Sequence, residues 1–267
     1  MKRLAIFAHF DAQNEVKRYV LHYLEALLAH CDRVIFVSVS DLSRACVEKL
    51  KALSCEVFIK DGNVGFDFGM WKLALAKADW CAYEELLLVN SSVLGPLSPL
   101  GHCFDRMSRA SCDVWSLTDN VEIDWHLQSY FLVFKSRVFH SDAFKTFWNG
   151  VLEYRDKQQV IRSYEVGLSI FMREQGFRLE PMFPQAELIH RNPLDYLRFA
   201  RRRRNPTCAF PADLLRMGMP LVKVELLRDN PQKTRLGPVR REMTKRGYDT
   251  SLIEFDRPIR QNGWPYD

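Results

Sequence analysis

Four short apolar runs, separated by segments of helical periodicity, constrain this chain more than any other feature. LAIFAHF (4–10), RVIFVSVS (33–40), EVFIK (56–60) and EELLLVN (84–90) each suit a buried strand. Between the first two, Val16, Val20, Tyr23, Leu24, Leu27 and Leu28 recur at the spacing of one helix face. Further helices are expected near 43–53 and over 70–78. This alternation predicts a parallel sheet covered on both faces. Ligands of such sheets sit at the carboxyl ends of strands, so the places where the runs stop matter most.

The second half changes character. DVWSLTDN (113–120) and SYFLVFKS (129–136) read as two more strands, followed by helices over 141–153 and 163–175. Ser163 is the expected N-cap of the second helix and Gly176 its stop. From residue 192 the chain is rich in Arg and Pro and is expected to form helical pieces and loops packed on the sheet. Its 267 residues, 47% of them hydrophobic, suffice for a sizeable core. The net charge of +5 is concentrated in Arg201–Arg204 and the stretch 228–246, but no zinc finger or RNP aromatic motif accompanies it, so nucleic acid is not an expected partner. Seven cysteines at irregular spacings, with no CxxC pair, suit reduced thiols. MKRLAIFAHF is too briefly apolar for a signal peptide. No run approaches the roughly 18–20 apolar residues that cross a bilayer, and a cytoplasmic protein is expected.

Four stretches carry candidate chemistry. KDGNVGFDFGMWKLAL (60–75) places Gly62 and Gly65 after a strand and Gly69 at a helix start, with Asn63 and Asp67 between them. Such a bend lets backbone approach a phosphate closely; it equally forms a tight turn with an Asp cap. The spacing matches neither a Rossmann GxGxxG nor a P-loop. SLTDNVEIDWHLQSYFLVF (116–134) gathers Asp119, Glu122, Asp124, His126 and Gln128, which can bond sugar hydroxyls, beside Trp125, which can stack on a ring. An ordinary exposed loop reads the same way. VIRSYEVGLSIFMREQGF (160–177) sets Glu165 in the first turn of a helix, where a carboxylate favours the dipole and becomes a base only if that end meets a cleft. Asn90-Ser91-Ser92 ends the fourth strand without an acid.

Taken with PADLLRMGMPLVKVELLRDNP (211–231), these stretches resemble the rhamnan synthesis F family of bacterial polysaccharide glycosyltransferases, over most of the chain and in the right order. The resemblance implies a glycosyltransferase A-type α/β fold: a Rossmann-like mixed central sheet flanked by helices. It divides the chain into a catalytic domain (1–190), with a nucleotide-sugar half to about 100 and an acceptor half from about 101, and a basic extension (191–267). It also implies a nucleotide-linked deoxysugar as donor, dTDP-L-rhamnose first, and a growing glycan, commonly lipid-linked, as acceptor.

Residue by residue, Gly62, Asn63, Gly65 and Asp67 match the donor loop. Asn90-Ser91-Ser92 stands where relatives carry Asn-Asp-Ser in place of the fold's acidic metal motif. Ser91 therefore leaves three alternatives open. Mg²⁺ or Mn²⁺ is held by another route, through Asp67 or Asp119 with His190; cations such as Lys72 or Arg191 neutralise the leaving diphosphate with helix N–H groups; or activity is lost. Ser and Asn are poor ligands for hard cations, which favours the second.

The expected reaction is an inverting transfer with Glu165 as base and Asp124 and Asp119 as reserves. His9, Asp11 and Asp41 follow strands one and two, where base and ribose should lie. His126, Gln128 and Trp125 face donor or acceptor sugar. Two other functions compete: a non-catalytic nucleotide- or glycan-binding subunit, and a cofactor-dependent methyltransferase, whose first bend would need glycines this chain lacks. Arg201–Arg204, near Tyr196, Leu197 and Phe199, either rest on anionic lipid or form a solvated helix end.

Overall fold

A computed structural model describes residues 1–191, 193, 194, 197 and 205–253. The predicted alternation is present as β1 (Arg3–His9), α1 (Arg18–Leu28), β2 (Arg33–Ser38), α2 (Arg44–Ala52), β3 (Glu56–Ile59), α3 (Phe66–Lys77) and β4 (Glu85–Asn90). These four strands are parallel in the order β3-β2-β1-β4.

Beyond β4 the direction reverses. β5 (Val93–Leu94) and α4 (Gly101–Ser108) lead into β6 (Val114–Asn120), β7 (His126–Leu127) and β8 (Phe131–Lys135). β8 lies antiparallel to β4, with Val89 opposite Phe131. β6 is antiparallel to β8 and takes β7 and β9 (Leu179–Phe183) as further partners, which completes a mixed sheet of eight strands among the described residues.

Side chains alternate across the sheet, as a two-residue period requires. Leu87 and Val89 point into a layer with Phe7, Tyr23, Leu24 and Phe36. Leu86 and Leu88 point the other way, onto Ile6, Met70, Trp71, Phe134 and Trp148. All of these are buried, and each large side chain removed from water stabilises the fold by about 1.5–3 kcal/mol. Trp71 also donates its indole N–H to the Val89 carbonyl at 3.2 Å, which ties α3 to β4.

The helix expected over 163–175 is longer and less regular. After α5 (Ser136–Phe139) and α6 (Asp142–Asn149), it begins at α7 (Lys157–Val160), where Asp156 rather than Ser163 caps it by accepting from the Gln158 N–H at 2.9 Å. A π-helical turn, Ile161–Val166, then joins α8 (Gly167–Glu174). The strand pairing of β5 and the helix α4 lie in a stretch whose sequence carries no clear period.

The C-terminal segment is part of the same core. After α9 (Gln185–Arg191), short helices at Pro206–Ala209, Pro211–Arg216, Val224–Arg228 and Gly237–Lys245 surround β10 (Val222–Lys223), which pairs antiparallel with β5. Leu214, Leu215, Leu221, Leu226, Val239 and Met243 share one apolar cluster with Leu27, Leu100 and Trp115. All seven cysteines are free. No helix among the described residues is long and apolar enough to cross a membrane.

The bend before α3 is built on close backbone approach. Gly65 has φ +74° and donates its N–H to the Tyr154 carbonyl at 2.9 Å. A Cβ on Gly69 would lie 2.7 Å from the Val64 carbonyl oxygen, closer than any side chain tolerates. Gly69→Ala is therefore expected to destabilise the protein by about 1–3 kcal/mol. Gly167→Ala, whose nearest neighbour is 3.5 Å away, should be neutral or stabilising by up to about 1 kcal/mol. Urea denaturation of the two variants checks the contrast.

Candidate active site

The strand reversal collects several chain segments at one sheet edge and leaves a cleft of about 520 Å³ among them. Phe10, Asp11 and Gln13, after β1, form one wall with Asn63, Phe66 and Asp67 of the bend. Asn90, Ser91 and Ser92 form the floor. Across from them stand Asn120, Glu122, His126, Gln128 and Ser129, with Lys157, Ile161 and Glu165 of the following helix. Asn205, Lys223, Glu225 and Arg228 close the fourth side. The size suits a small-molecule ligand.

One chain of hydrogen bonds runs along the floor. Asn90 donates Nδ2–H to Asp67 Oδ2 at 2.7 Å and accepts, through Oδ1, from the Ser92 N–H (3.1 Å) and Ser92 Oγ (2.6 Å). Lys223 Nζ reaches Ser92 Oγ at 3.5 Å and lies 4.4 Å above the centre of the Tyr130 ring. Burial raises the pKa of Asp67 to about 6, against the Asn90 bond and the nearby Lys223 and Lys157 charges; the Glu165 carboxylate adds to the rise. Phe66, beside Asp67, adopts φ +48°, a conformation that costs a bulky residue energy and here aims the helix start at the cleft.

The opposite wall is equally tied down. Glu165 Oε1 accepts from the Ser129 N–H (2.9 Å) and Ser129 Oγ (3.0 Å), and neither bond uses Oε2. Glu165 sits in the π-helical turn, a distortion often found at functional sites. Thr118 Oγ1 donates to Gln128 Oε1 at 2.8 Å and contacts Tyr130 Oη at 2.7 Å; Gln128 Nε2 in turn donates to Asn205 Oδ1 at 3.3 Å. Asn63 Oδ1 is buried and accepts from no group among the described residues.

Of the residues singled out in the sequence, Asp11, Asn63, Asp67, Asn90, Ser91, Ser92, Glu122, His126, Gln128 and Glu165 line the cleft. Gly65 shapes the bend through its backbone. The others lie elsewhere. His9 is buried behind the wall, 2.9 Å from Ser38 Oγ, and burial lowers its pKa to about 4, so it is a neutral packing residue near pH 7. Asp41 is exposed and its backbone N–H bonds Asn14. Lys72 donates to the carbonyls of Val151 (2.6 Å) and Asn149 (3.3 Å), which pins the segment after α6 and takes the ammonium away from the cleft.

Asp119 accepts from the Gln185 N–H (2.6 Å) and from Trp125 Nε1 (2.9 Å), and burial raises its pKa; it joins β6 to α9. Trp125 thereby turns from the cleft to a shallow groove, with the Arg173 guanidinium 5.3 Å from its ring centre. Asp124 is exposed and accepts from the Trp125 N–H. The His190 and Arg191 side chains, and Arg201–Arg204 with Tyr196 and Phe199, lie outside the described residues. Lys157, Asn205, Lys223, Glu225 and Arg228 were not singled out at all; four of them lie more than 100 residues along the chain from Asn90.

The donor set at the floor does not fit a carboxylate-bound divalent metal. Ser91 and Ser92 offer hydroxyls, Asn90 is turned toward Asp67 and Ser92, and among the described residues Asp67 is the one carboxylate bonded to that floor. Among the described residues no three His, Cys, Asp or Glu side chains converge as a metal site.

Residues 34–256 match the rhamnan synthesis protein F family. The chain belongs to that family. It is 29% identical over 200 residues to the virulence protein VirA of Vibrio anguillarum, an alignment that covers 67% of this chain and 64% of VirA. It is 28% identical over 142 residues to the protein y4gN of Sinorhizobium fredii, covering 51% of this chain and 37% of that one. The chain thus spans less than two thirds of VirA. Its fold is similar to that of the glycosyltransferase GlyE of Streptococcus pneumoniae, with a TM-score of 0.50 at 12% identity over 94% of this chain and 62% of GlyE. The sheet and its flanking helices are the expected glycosyltransferase A-type arrangement.

Asp67 carries a measurable signature. With its folded pKa above the unfolded 3.8, the native state keeps its proton longer, so Asp67 lowers stability as pH rises from about 4 to 6, and the loss is complete above 6. Asp67→Asn should accordingly raise stability at pH 7.5 by about 1–2 kcal/mol, allowing for solvent in the cleft, with the gain vanishing toward pH 4. Thermal unfolding of both proteins across that range reads the difference.

Proposed function

We propose that the chain is an inverting glycosyltransferase that moves L-rhamnose from dTDP-L-rhamnose to a growing cell-surface polysaccharide or lipid-linked glycan. The observation that carries this reading is the opposition of Asp67 and Glu165 across one cleft at the strand ends, in a member of the rhamnan synthesis protein F family. An acceptor hydroxyl between them meets a carboxylate at one side and the donor at the other.

The step balances as follows. The acceptor oxygen forms a bond to the anomeric carbon while the bond from that carbon to the diphosphate oxygen breaks and its electron pair leaves with the nucleoside diphosphate. The hydroxyl proton passes to Glu165, whose Oε2 takes no part in the bonds from Ser129. Ser129 fixes the carboxylate's orientation. Asn63 Oδ1, a buried acceptor without a donor among the described residues, suits the imide N–H of a pyrimidine or a ribose hydroxyl. His126 and Gln128 line the acceptor side. A lipid-linked acceptor brings the reaction to the cytoplasmic face of the membrane.

Ser91 favours a second reading, in which the chain is a nucleotide- or glycan-binding subunit without turnover of its own. The two part on one comparison. Under the transferase reading Glu165→Gln lowers turnover with dTDP-L-rhamnose by about 10²-fold or more, the range of a lost general base, and leaves the dTDP affinity within about threefold, since that residue faces the acceptor. A wild-type chain that binds dTDP yet transfers nothing to any glycan acceptor favours the subunit; normal turnover in Glu165→Gln removes Glu165 as base.

A further inference from the structure

We infer that Lys223, delivered by the C-terminal segment, takes the place of a divalent cation at the leaving diphosphate. The inference rests on the glycosyl-transfer reading above and names the group that makes departure possible.

Backbone pairing sets the position of Lys223. β10 runs antiparallel to β5 with Lys223 opposite Val93 and Val222 opposite Leu94, and the Val224 N–H donates to the Ser92 carbonyl at 2.9 Å. The residue is thus held beside Ser92 and opposite Val93, two and three positions beyond the strand end at Asn90, which in this fold is where an acid would grip a metal. Its ammonium lies over the Tyr130 ring and within 3.5 Å of Ser92 Oγ, and it is half-buried at the cleft wall. Among the described residues it forms no ion pair. An ammonium resting on a hydroxyl and a π face keeps donors for an incoming oxyanion.

The acids of the cleft are committed differently; Glu122, exposed on the wall opposite the floor, accepts from Asn120 Nδ2 through Oε2 at 3.5 Å. Asp11 caps the Gln13 and Glu15 N–H groups, Glu165 takes two bonds from Ser129, and Glu225 accepts from the Cys208 thiol. Asp67 is bonded to Asn90 and its pKa is raised by burial. None of these presents an unoccupied pair of oxygens to a metal at the floor. Arg228, at the cleft rim and paired with Asp229, adds a second positive group on the same side. A fixed cation aimed at developing charge stabilises a leaving oxyanion as a metal does, without reorganisation.

Calorimetry on the full chain tests this with dTDP as probe, in EDTA and in Mn²⁺, for wild type, Lys223→Met and Lys223→Arg, each checked for an unchanged melting temperature. Wild type should bind dTDP equally, within about threefold, in both buffers. Lys223→Met should weaken binding about 10- to 100-fold, the scale of one lost charge-assisted contact, while thymidine, which lacks the diphosphate, is unaffected. Lys223→Arg should recover most of the loss. Binding that needs Mn²⁺, or Lys223→Met binding like wild type, overturns the role of Lys223 and leaves the transferase reading standing. If Lys223→Met melts early, the wild-type buffer comparison and Lys223→Arg still decide. A wild type that binds no nucleotide in either buffer overturns the transferase reading and this inference together.

Discussion

The cleft depends on one constraint: β4 is hydrogen-bonded parallel to β1 on one side and antiparallel to β8 on the other. A strand with opposite neighbours brings the end of one and the start of the other to the same edge. The end of β4 at Asn90 therefore meets the start of β8 at Phe131, and β6, antiparallel to β8, ends there too at Asn120. Had β8 run parallel, Gln128 and Ser129 would lie at the far edge, beside Arg3 and Glu85. The polar residues of the site can be held firmly because apolar layers flank both sheet faces and Trp71 ties α3 to Val89.

Around that edge the structure accepts local costs. Asp67 is pushed toward its protonated form, Phe66 has a left-handed backbone, and Glu165 sits in a π-helical turn. Each departs from what the isolated segment prefers, and each is held by neighbours that pack well. Clustering of such departures in one cleft, with ordinary geometry elsewhere in α1 and β1–β4, is the pattern expected where function is bought with stability.

Much of this was legible in the sequence. The strands 4–10, 33–40, 56–60 and 84–90 follow from apolar runs because a strand buried on both faces must be apolar throughout. The bend at 62–69 announced itself by glycines; Glu165 was singled out by an expected helix start, whereas the helix begins at Lys157 and Glu165 lies in a π-helical turn within it. Several singled-out residues lie outside the cleft. Asp119 and His9 sit on strands next to cleft residues, where one step turns a side chain to the other face; Asp124 and Trp125 lie in the loop before β7 and Lys72 on the far side of α3, where spacing alone gives no direction. Asp119 and Asn120 show this directly: the first is bound to Gln185 and Trp125, and the second lines the cleft.

Sequence alone determined the α/β class, the parallel half of the sheet, the family and several of the cleft's polar residues, because these follow from local periodicity and short contiguous motifs. Only the tertiary structure decided which acids face the cleft and which are structural, and that the fourth wall comes from the segment after residue 204. Lys223 shows why. Nothing in MPLVKVELL (219–227) distinguishes its charge from any other exposed lysine. Its place beside Ser92 exists only once β10 pairs with β5, a contact between residues about 130 apart in the chain, and a loop of that length leaves no local trace in the sequence.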